Sequence, residues 1–204
     1  SEILSLAERY MQETDEWRFL EFFKDWNPVN LMDEDWEEVK KDENTYKPIA
    51  IKCLKKSFNI IKSENKQSGN YEWLIETYQV ATSKFPKDEW INREKALLLI
   101  QNNDLAQAIE IYKNLVLSLG DKAYIWNEFS GCFKNNNDLK IGMLSKAILL
   151  EKNEDFLGDI HLDLASTLMG NDLIENAIIE LSKYQKHREK KGWKLSVTYI
   201  ALNS

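Results

Sequence analysis

The stretch that decides the fold is WINREKALLLIQNNDLAQAIEIYKNLVLSLG, residues 90–120. Its apolar residues recur at helical spacing on both sides of the polar turn 102–104: Ala96, Leu99, Ile100, then Leu105, Ala108, Ile109, Tyr112 and Leu115. This spacing predicts two amphipathic helices joined by a short turn. The same pattern returns about 34 residues away in either direction, which predicts a helical repeat array.

Composition supports long helices and a protein core. Hydrophobic residues make up 43% of the 204 residues, whereas the chain has only seven Gly and three Pro. The formal net charge of −7 argues against a general nucleic-acid binder, because such proteins usually carry a basic face. Cys53 and Cys132 are too few and too far apart for a disulfide framework or a zinc site, so we predict two buried free thiols and no metal.

Nothing in the sequence predicts a membrane span or a secretory signal. No apolar run reaches the roughly 20 residues of a spanning helix, and residues 1–4 lack a basic and apolar leader. The sequence also lacks an initiator Met, which we interpret as a fragment of a larger protein. We therefore predict a cytoplasmic protein.

The first 45 residues read as an acidic, aromatic-rich helical segment. One helix is expected over 3–11, and a second, capped by Thr14 and carrying Trp17 to Trp26, is stopped by Asn27-Pro28. A further helix start is expected at 33–35, and residues 40–45 are expected to form a loop.

Charge changes sign at the end of this segment. Residues 1–45 hold fourteen acids and five bases, whereas residues 46–67 hold six lysines and one acid. One interpretation is that the two segments attract each other within the fold. The alternative is a basic strip for phosphates, formed by Lys47, Lys52, Lys55, Lys56 and Lys62.

Helices are expected over 48–63 and 71–84, with a turn at 65–70 between them, and the later chain continues the pattern. This is where the sequence resembles the tetratricopeptide repeat (TPR) family. The residues that match its consensus are Tyr78, Ala81, Pro86; Ala96, Ala108, Tyr112, Gly120; Trp126, Phe129, Phe133, Gly142; and Leu164, Ala165, Leu168, Ala177. Lys146, Leu149 and Leu181 depart from it, so atypical packing is expected there.

The resemblance implies an all-α, right-handed α-α superhelix of about four helix pairs. The expected pairs are 46–86, 87–120, 121–155 and 156–190, behind a helical cap at 1–45. Residues 191–204 are expected to begin a C-terminal capping helix. For 193–202 an alternating strand is the other interpretation.

The TPR resemblance also implies a function: a non-catalytic scaffold that binds a peptide or partner helix in a concave groove. The groove residues implied by the family register are Trp90, Arg93, Leu97, Gln101, Tyr124, Asn127, Lys134, Asn135, Asp159, Leu162, Ser166 and Met169. Of the family's carboxylate clamp only Arg93 has a counterpart, and Glu128, Asp159 and Asp163 oppose such a ligand. A partner with basic and apolar residues is therefore expected, with no cofactor.

Catalysis is not expected. Asp159 and Asp163 share a helix face, but His161 points away from both, so we interpret it as a packing residue. Two alternatives to the peptide scaffold remain. The first is a nucleic-acid-associated module that uses the lysines above or the basic run 183–191. The second is a self-associating spacer. Residues 17–36 also resemble a segment of TPR proteins from prokaryotic conflict systems, which implies a defence-associated scaffold.

Overall fold

The computed structural model describes residues 2–11, 16–41, 43–63 and 71–203. These residues form eleven α-helices, two 3-10 helices and one two-stranded sheet. The α-helices are α1 Glu2–Tyr10, α2 Glu16–Trp26, α3 Ile49–Ser63, α4 Glu72–Lys84, α5 Glu89–Gln101, α6 Leu105–Leu119, α7 Ala123–Ser130, α8 Asn137–Leu150, α9 Glu154–Met169, α10 Ile174–Lys191 and α11 Val197–Leu202. The predicted all-α class is confirmed, and the chain divides into two compact units, Ser1–Asn103 and Asp104–Ser204.

In the first unit, the aromatic helix α2 supplies much of the core. Phe19 and Phe23 are fully buried, and the Phe23 ring meets Trp73 of α4 edge-on with centroids 5.8 Å apart. The predicted end of this helix at Asn27-Pro28 is confirmed. The predicted cap Thr14 and the predicted turn 65–70 lie outside the described residues.

The segment after α2 differs from the prediction. Residues 33–36 form only a short 3-10 helix, Asp33–Trp36. The expected loop at 40–45 belongs to a hairpin of β1 Val39–Lys41 and β2 Asn44–Tyr46. Every residue of these strands is exposed, so they carry no alternation of apolar and polar residues by which a strand could be predicted.

The lysines of α3 are partly used inside the first unit. Lys56 donates from Nζ to the backbone carbonyls of Glu8 and Met11, and its ammonium lies 4.8 Å from the centre of the Phe19 ring. It thereby satisfies carbonyl groups at the end of α1, which have no partner in their own helix. This contact between the basic and acidic segments agrees with the first interpretation of the charge change.

In the second unit, helices α6 to α10 pack in sequence order. Tyr112 of α6 stacks on Phe129 of α7 with ring centroids 5.3 Å apart. The turns are also joined, since the Asn137 side chain donates to the Asn171 Oδ1 at 3.0 Å and Asn171 donates to the Asp138 carboxylate at 3.1 Å. These amide contacts link the start of α8 to the turn between α9 and α10.

The predicted repeat register fails in α8. Gly142 was expected to be the small residue of close helix approach, but it is exposed and no atom would lie within 4 Å of an added Cβ. Leu144 and Ala147 are the fully buried residues instead. The cause is helix α7, which has only eight residues, so that Phe133 lies beyond its end and the next helix begins in a different register.

The C-terminal helix is confirmed only over Val197–Leu202, and residues 193–196 lie outside it. Tyr199 is its buried residue, and its ring stacks on Tyr184 of α10 at 5.4 Å. Ser196 caps the helix by accepting the backbone N–H of Tyr199. The two cysteines are buried free thiols, as predicted, and burial raises the pKa of Cys132 to about 11.

Each unit contains a buried tyrosine that reaches a glutamate sixteen residues later. Tyr78 of α4 donates to Glu94 of α5 at 2.7 Å, and Tyr112 of α6 donates to Glu128 of α7 at 3.3 Å. Burial raises the pKa of Glu94, and the hydrogen bond from Tyr78 opposes that rise. The Tyr78–Glu94 pair is therefore more strongly desolvated than the Tyr112–Glu128 pair.

We predict that Tyr78→Phe destabilises the protein by about 1–3 kcal/mol, because the Glu94 carboxylate would stay buried without its donor. Tyr112→Phe should cost less, about 0.5–1 kcal/mol, because its bond is longer and Glu128 is only half-buried. Urea unfolding monitored by circular dichroism measures both changes. Equal losses in the two variants would contradict this ranking.

Candidate functional site

The predicted groove residues of the first unit lie on α5. Trp90 is 58% exposed, and the Arg93 guanidinium lies over its ring at 5.2 Å. Gln101 is exposed at the end of the helix, and Leu97 is half-buried against the core. Trp90, Arg93 and Gln101 thus keep side chains accessible to a ligand.

The third predicted helix pair departs from the prediction. Tyr124 and Asn127 lie on α7 and are half-buried. Lys134 and Asn135 were placed on the same helix, but α7 ends at Ser130, and both residues lie in the connection to α8. These two residues therefore do not extend a helix face, and we correct that assignment.

Helix α9 carries the acidic surface of the second unit. Asp159, Asp163 and Ser166 are exposed and lie on one face, since residues four and seven apart overlap on a helix. Met169 is half-buried against the core. Leu162 is only 6% exposed and belongs to the core, so we leave it out of the accessible surface. We call Asp159, Asp163 and Ser166 the acidic face.

The negative charges of the acidic face affect each other. Partial desolvation raises the pKa of Asp163, and the nearby Asp159 carboxylate adds to the rise, whereas Lys140 of α8 opposes it. The net direction is upward because desolvation outweighs the effect of Lys140, which lowers the pKa more than Asp159 raises it. A cation brought by a partner would lower the free energy of the ionised carboxylate.

His161 has a defined structural role, as the sequence suggested. It is 7% exposed, and its Nδ1 lies 2.5 Å from the Glu180 Oε2 on α10. Lys183 donates to the other oxygen of Glu180 at 2.7 Å. Burial alone would raise the pKa of Glu180, but the hydrogen bonds from His161 and Lys183 lower it overall. Sequence analysis missed Glu180, because only the packing of α9 on α10 brings it to His161.

The C-terminal basic run is largely paired with acids at the start of α9. His187 Nε2 and Lys191 Nζ both lie 2.9 Å from the Asp155 carboxylate, and Lys190 lies 3.3 Å from Glu154. These contacts lower the pKa of Asp155, mainly through the hydrogen bond from Lys191 and to a smaller extent through His187. The run of positive charges seen in the sequence is therefore neutralised mainly within the fold.

The five lysines proposed as a phosphate strip are only partly engaged by groups of this chain. Lys52 lies 5.6 Å from the Tyr46 ring centre, Lys56 caps α1, and the charge of Lys55 helps to lower the pKa of Glu94 against burial. Lys47 and Lys62 are exposed. These lysines therefore differ in their surroundings and do not form one continuous basic surface.

The described residues contain neither a cluster of metal-ligating side chains nor a membrane-spanning helix. No group of three His, Cys, Asp or Glu side chains among them is arranged to hold a metal ion. None of the helices they form has the length and apolar character needed to cross a membrane.

Together the described helices define an all-α helical-repeat protein. The sequence profile of the family described as "Domain of unknown function (DUF7017)" matches residues 89–204, and the chain belongs to that family. No curated protein sequence matches the chain.

Solved structures of MamA, a TPR-like helical repeat protein, share this fold. MamA from Desulfovibrio magneticus RS-1, residue 41 to the end, superposes with a TM-score of 0.65 and 11% identity, covering 93% of this chain and 95% of that one. A double mutant of RS-1 MamA superposes with a TM-score of 0.65 and 12% sequence identity, and the coverage of both chains is the same. AMB-1 MamA superposes with a TM-score of 0.60 and 13% sequence identity, and the match covers 92% of this chain and 95% of that one.

These likenesses confirm the predicted all-α repeat solenoid class. At such low identity they show the fold and no shared function. None of the comparisons supports the resemblance of residues 17–36 to conflict-system proteins.

We predict that Asp163→Asn stabilises the protein near neutral pH by up to about 0.5 kcal/mol, the usual range for a surface change. The native pKa of Asp163 lies above its ordinary value, so the ionised form costs stability at pH values above that raised pKa. The gain should disappear as pH falls below the ordinary value of 3.8, where Asp163 is protonated in both states. Urea titrations from pH 3.5 to 7.5 measure this difference, and a gain independent of pH would contradict the assignment.

Proposed function

We propose that the protein is a non-catalytic interaction scaffold that binds a protein segment rich in basic and apolar residues. The acidic face of α9 carries this proposal: Asp159 and Asp163 are exposed one helical turn apart, and desolvation raises the pKa of Asp163 even though Lys140 lies nearby. A lysine or arginine of a partner would favour the ionised form of both carboxylates. The TPR-like fold supports the proposal by analogy, since such arrays present helix faces to peptides.

The other accessible groove residues extend the proposed surface within their own units. In the second unit, Tyr124 and Asn127 of α7 offer a partly exposed ring and an amide. In the first unit, Trp90 offers a partly exposed ring, with the Arg93 guanidinium lying over it. Aromatic side chains of this kind supply contact area with little loss of conformational entropy.

A non-catalytic role agrees with how the histidines are held. His161 and His187 each pair with a carboxylate of a neighbouring helix, and each of these carboxylates also binds a lysine. Such pairs fasten α9 to α10 and leave both carboxylates compensated. We also propose a cytoplasmic location, which the two free buried thiols support.

The partner class can be tested by selecting peptides on the immobilised full chain from a random peptide library. We expect the selected peptides to be enriched in Lys or Arg next to apolar residues, and their affinity to fall as salt rises. Selection of acidic peptides would contradict the proposal.

A matched pair of variants then locates the binding surface. Asp159→Asn with Asp163→Asn should weaken the selected peptide about tenfold, roughly two exposed ion pairs. Glu76→Gln with Glu175→Gln removes the same charge from exposed positions on α4 and α10, and should change affinity less than about twofold. Fluorescence anisotropy measures the peptide affinity of both double variants. Equal losses of affinity would show that the total charge matters and that Asp159 and Asp163 form no specific site.

Nucleic-acid binding is the rival function, and the same protein can test it. Because acids of this chain pair with much of the basic run, and Lys52 and Lys56 contact other groups of the first unit, we expect no retention of single-stranded RNA or DNA in filter binding at low salt. Retention that weakens steeply with added salt would instead support a phosphate-binding surface.

A further inference from the structure

A cavity of about 290 Å³ opens between helices α9 and α10. It lies entirely within the second unit, and its lining combines an apolar floor with a cationic rim. The floor is formed by Leu157, Gly158 and the Tyr184 ring, and the rim by Lys183, Lys186, Lys190, His161 and His187, with Glu154 as the acidic member. This volume lies near the lower end of the range for small-molecule sites.

The cavity is separate from the acidic face. Asp159 and His161 are two positions apart on α9, which turns their side chains about 200° from one another around the helix axis. A ligand in this cavity would therefore be independent of the peptide contact proposed above.

The walls of the cavity are held in place by contacts behind them. Tyr184 accepts a hydrogen bond from the backbone N–H of Ser196 at 3.1 Å and stacks on Tyr199. His161 is fixed by Glu180, and His187 by Asp155. Such supported side chains lose little entropy when a ligand binds.

Gly158 forms the part of the floor that lies next to the Tyr184 ring. It lies in the interior of a sixteen-residue helix, where glycine is less favourable than alanine. An added Cβ would lie 3.6 Å from the Tyr184 ring, an ordinary contact, so packing does not require glycine here. A longer side chain would occupy the cavity.

The rim has unbalanced positive charge. Lys183 and Lys190 are paired with Glu180 and Glu154. Lys186, in contrast, is exposed, and the described residues provide no carboxylate within the 4.0 Å ion-pair distance of its ammonium group. His161 uses Nδ1 for Glu180, so Nε2 is its nitrogen that remains for a ligand.

We propose that this cavity binds a small organic anion, with its apolar or aromatic body over Gly158 and Tyr184 and its acidic group at Lys186. The apolar floor selects for the organic part, because a bare inorganic anion would leave that surface in contact with water. The acidic group could be a carboxylate or a phosphate, since both accept from an ammonium group.

The test uses phenylacetate and phenyl phosphate as probes, with inorganic phosphate and benzylamine as controls, added to the ¹⁵N-labelled full chain. We expect both aromatic anions to shift the amide signals of Gly158, His161 and His187, and the stronger of the two identifies the preferred acidic group. Benzylamine should leave these signals unchanged. No shift with either aromatic anion at millimolar concentration, or equal shifts with inorganic phosphate, would overturn the proposal.

Two pairs of variants make the test specific. Gly158→Leu should weaken the bound probe at least about tenfold by filling the cavity. Gly158→Ala should keep the fold and weaken binding of the probe only about twofold to threefold. Its control is Gly142→Ala, which replaces a helical glycine by alanine at a position where no atom lies near the added Cβ. Lys186→Gln should weaken it about threefold, whereas Lys146→Gln on the exposed side of α8 should not.

Binding that is unaffected by Gly158→Leu in a folded protein would overturn the proposal, as would equal effects of the Lys186 and Lys146 substitutions. If Gly158→Leu does not fold, the outcome is decided by two other results: the difference in probe affinity between Gly158→Ala and Gly142→Ala, and the effect of Lys186→Gln. Because the peptide assay uses the opposite side of α9, loss of one activity leaves the other measurable.

Discussion

The structure depends on one constraint: a tyrosine hydroxyl that is buried between helices must have a hydrogen-bond partner. Tyr78 and Tyr112 each fill the space between a helix and its successor with a ring that is fully buried. In each case a glutamate sixteen residues later receives the hydroxyl. This distance in sequence equals the step from the middle of one helix to the sixth residue of the next. The pair therefore fixes the rotation and the position of the second helix at once, which apolar packing alone does less strictly.

The same kind of connection has a different chemistry at the last helix pair. There His161 of α9 meets Glu180 of α10, and the glutamate is held by Lys183. Because the imidazole and carboxylate are nearly buried, α10 is held close along this side of α9, and Gly158 one turn earlier lines the cavity next to the Tyr184 ring. The opposite side of α9 is left to Asp159 and Asp163. One helix thus separates an acidic surface from a cationic cavity, and the two differ in the ligands that their charges favour.

Much of this arrangement was predictable from periodicity. The helices, their ends at Asn27-Pro28 and Phe85-Pro86, and the buried register of Tyr112 and Ala177 follow from apolar spacing and from residues that end helices. Helix α7 is where prediction failed. Its eight residues end at Ser130, so the assumed repeat length placed Lys134 and Asn135 on a helix and Gly142 at a helix contact. A repeat of constant length cannot reveal that one helix is short and the following connection long.

Charge was the other property that the sequence alone represented poorly. The run 183–191 looks like a basic surface, yet Asp155, Glu154 and Glu180 take up most of its cations. Asp155 and Glu154 are 32 to 36 residues away in sequence from the cations they pair with, so only the antiparallel packing of α9 on α10 brings them together, whereas Glu180 lies one turn before Lys183 on the same helix. Among the described residues of the second unit, the carboxylates of the acidic face and the ammonium group of Lys186 are charges that the fold leaves without an ion-pair partner. These residual charges, and not the total of −7, are the part of the electrostatics that a partner can recognise, because a charge already paired inside the protein gives little further energy on binding.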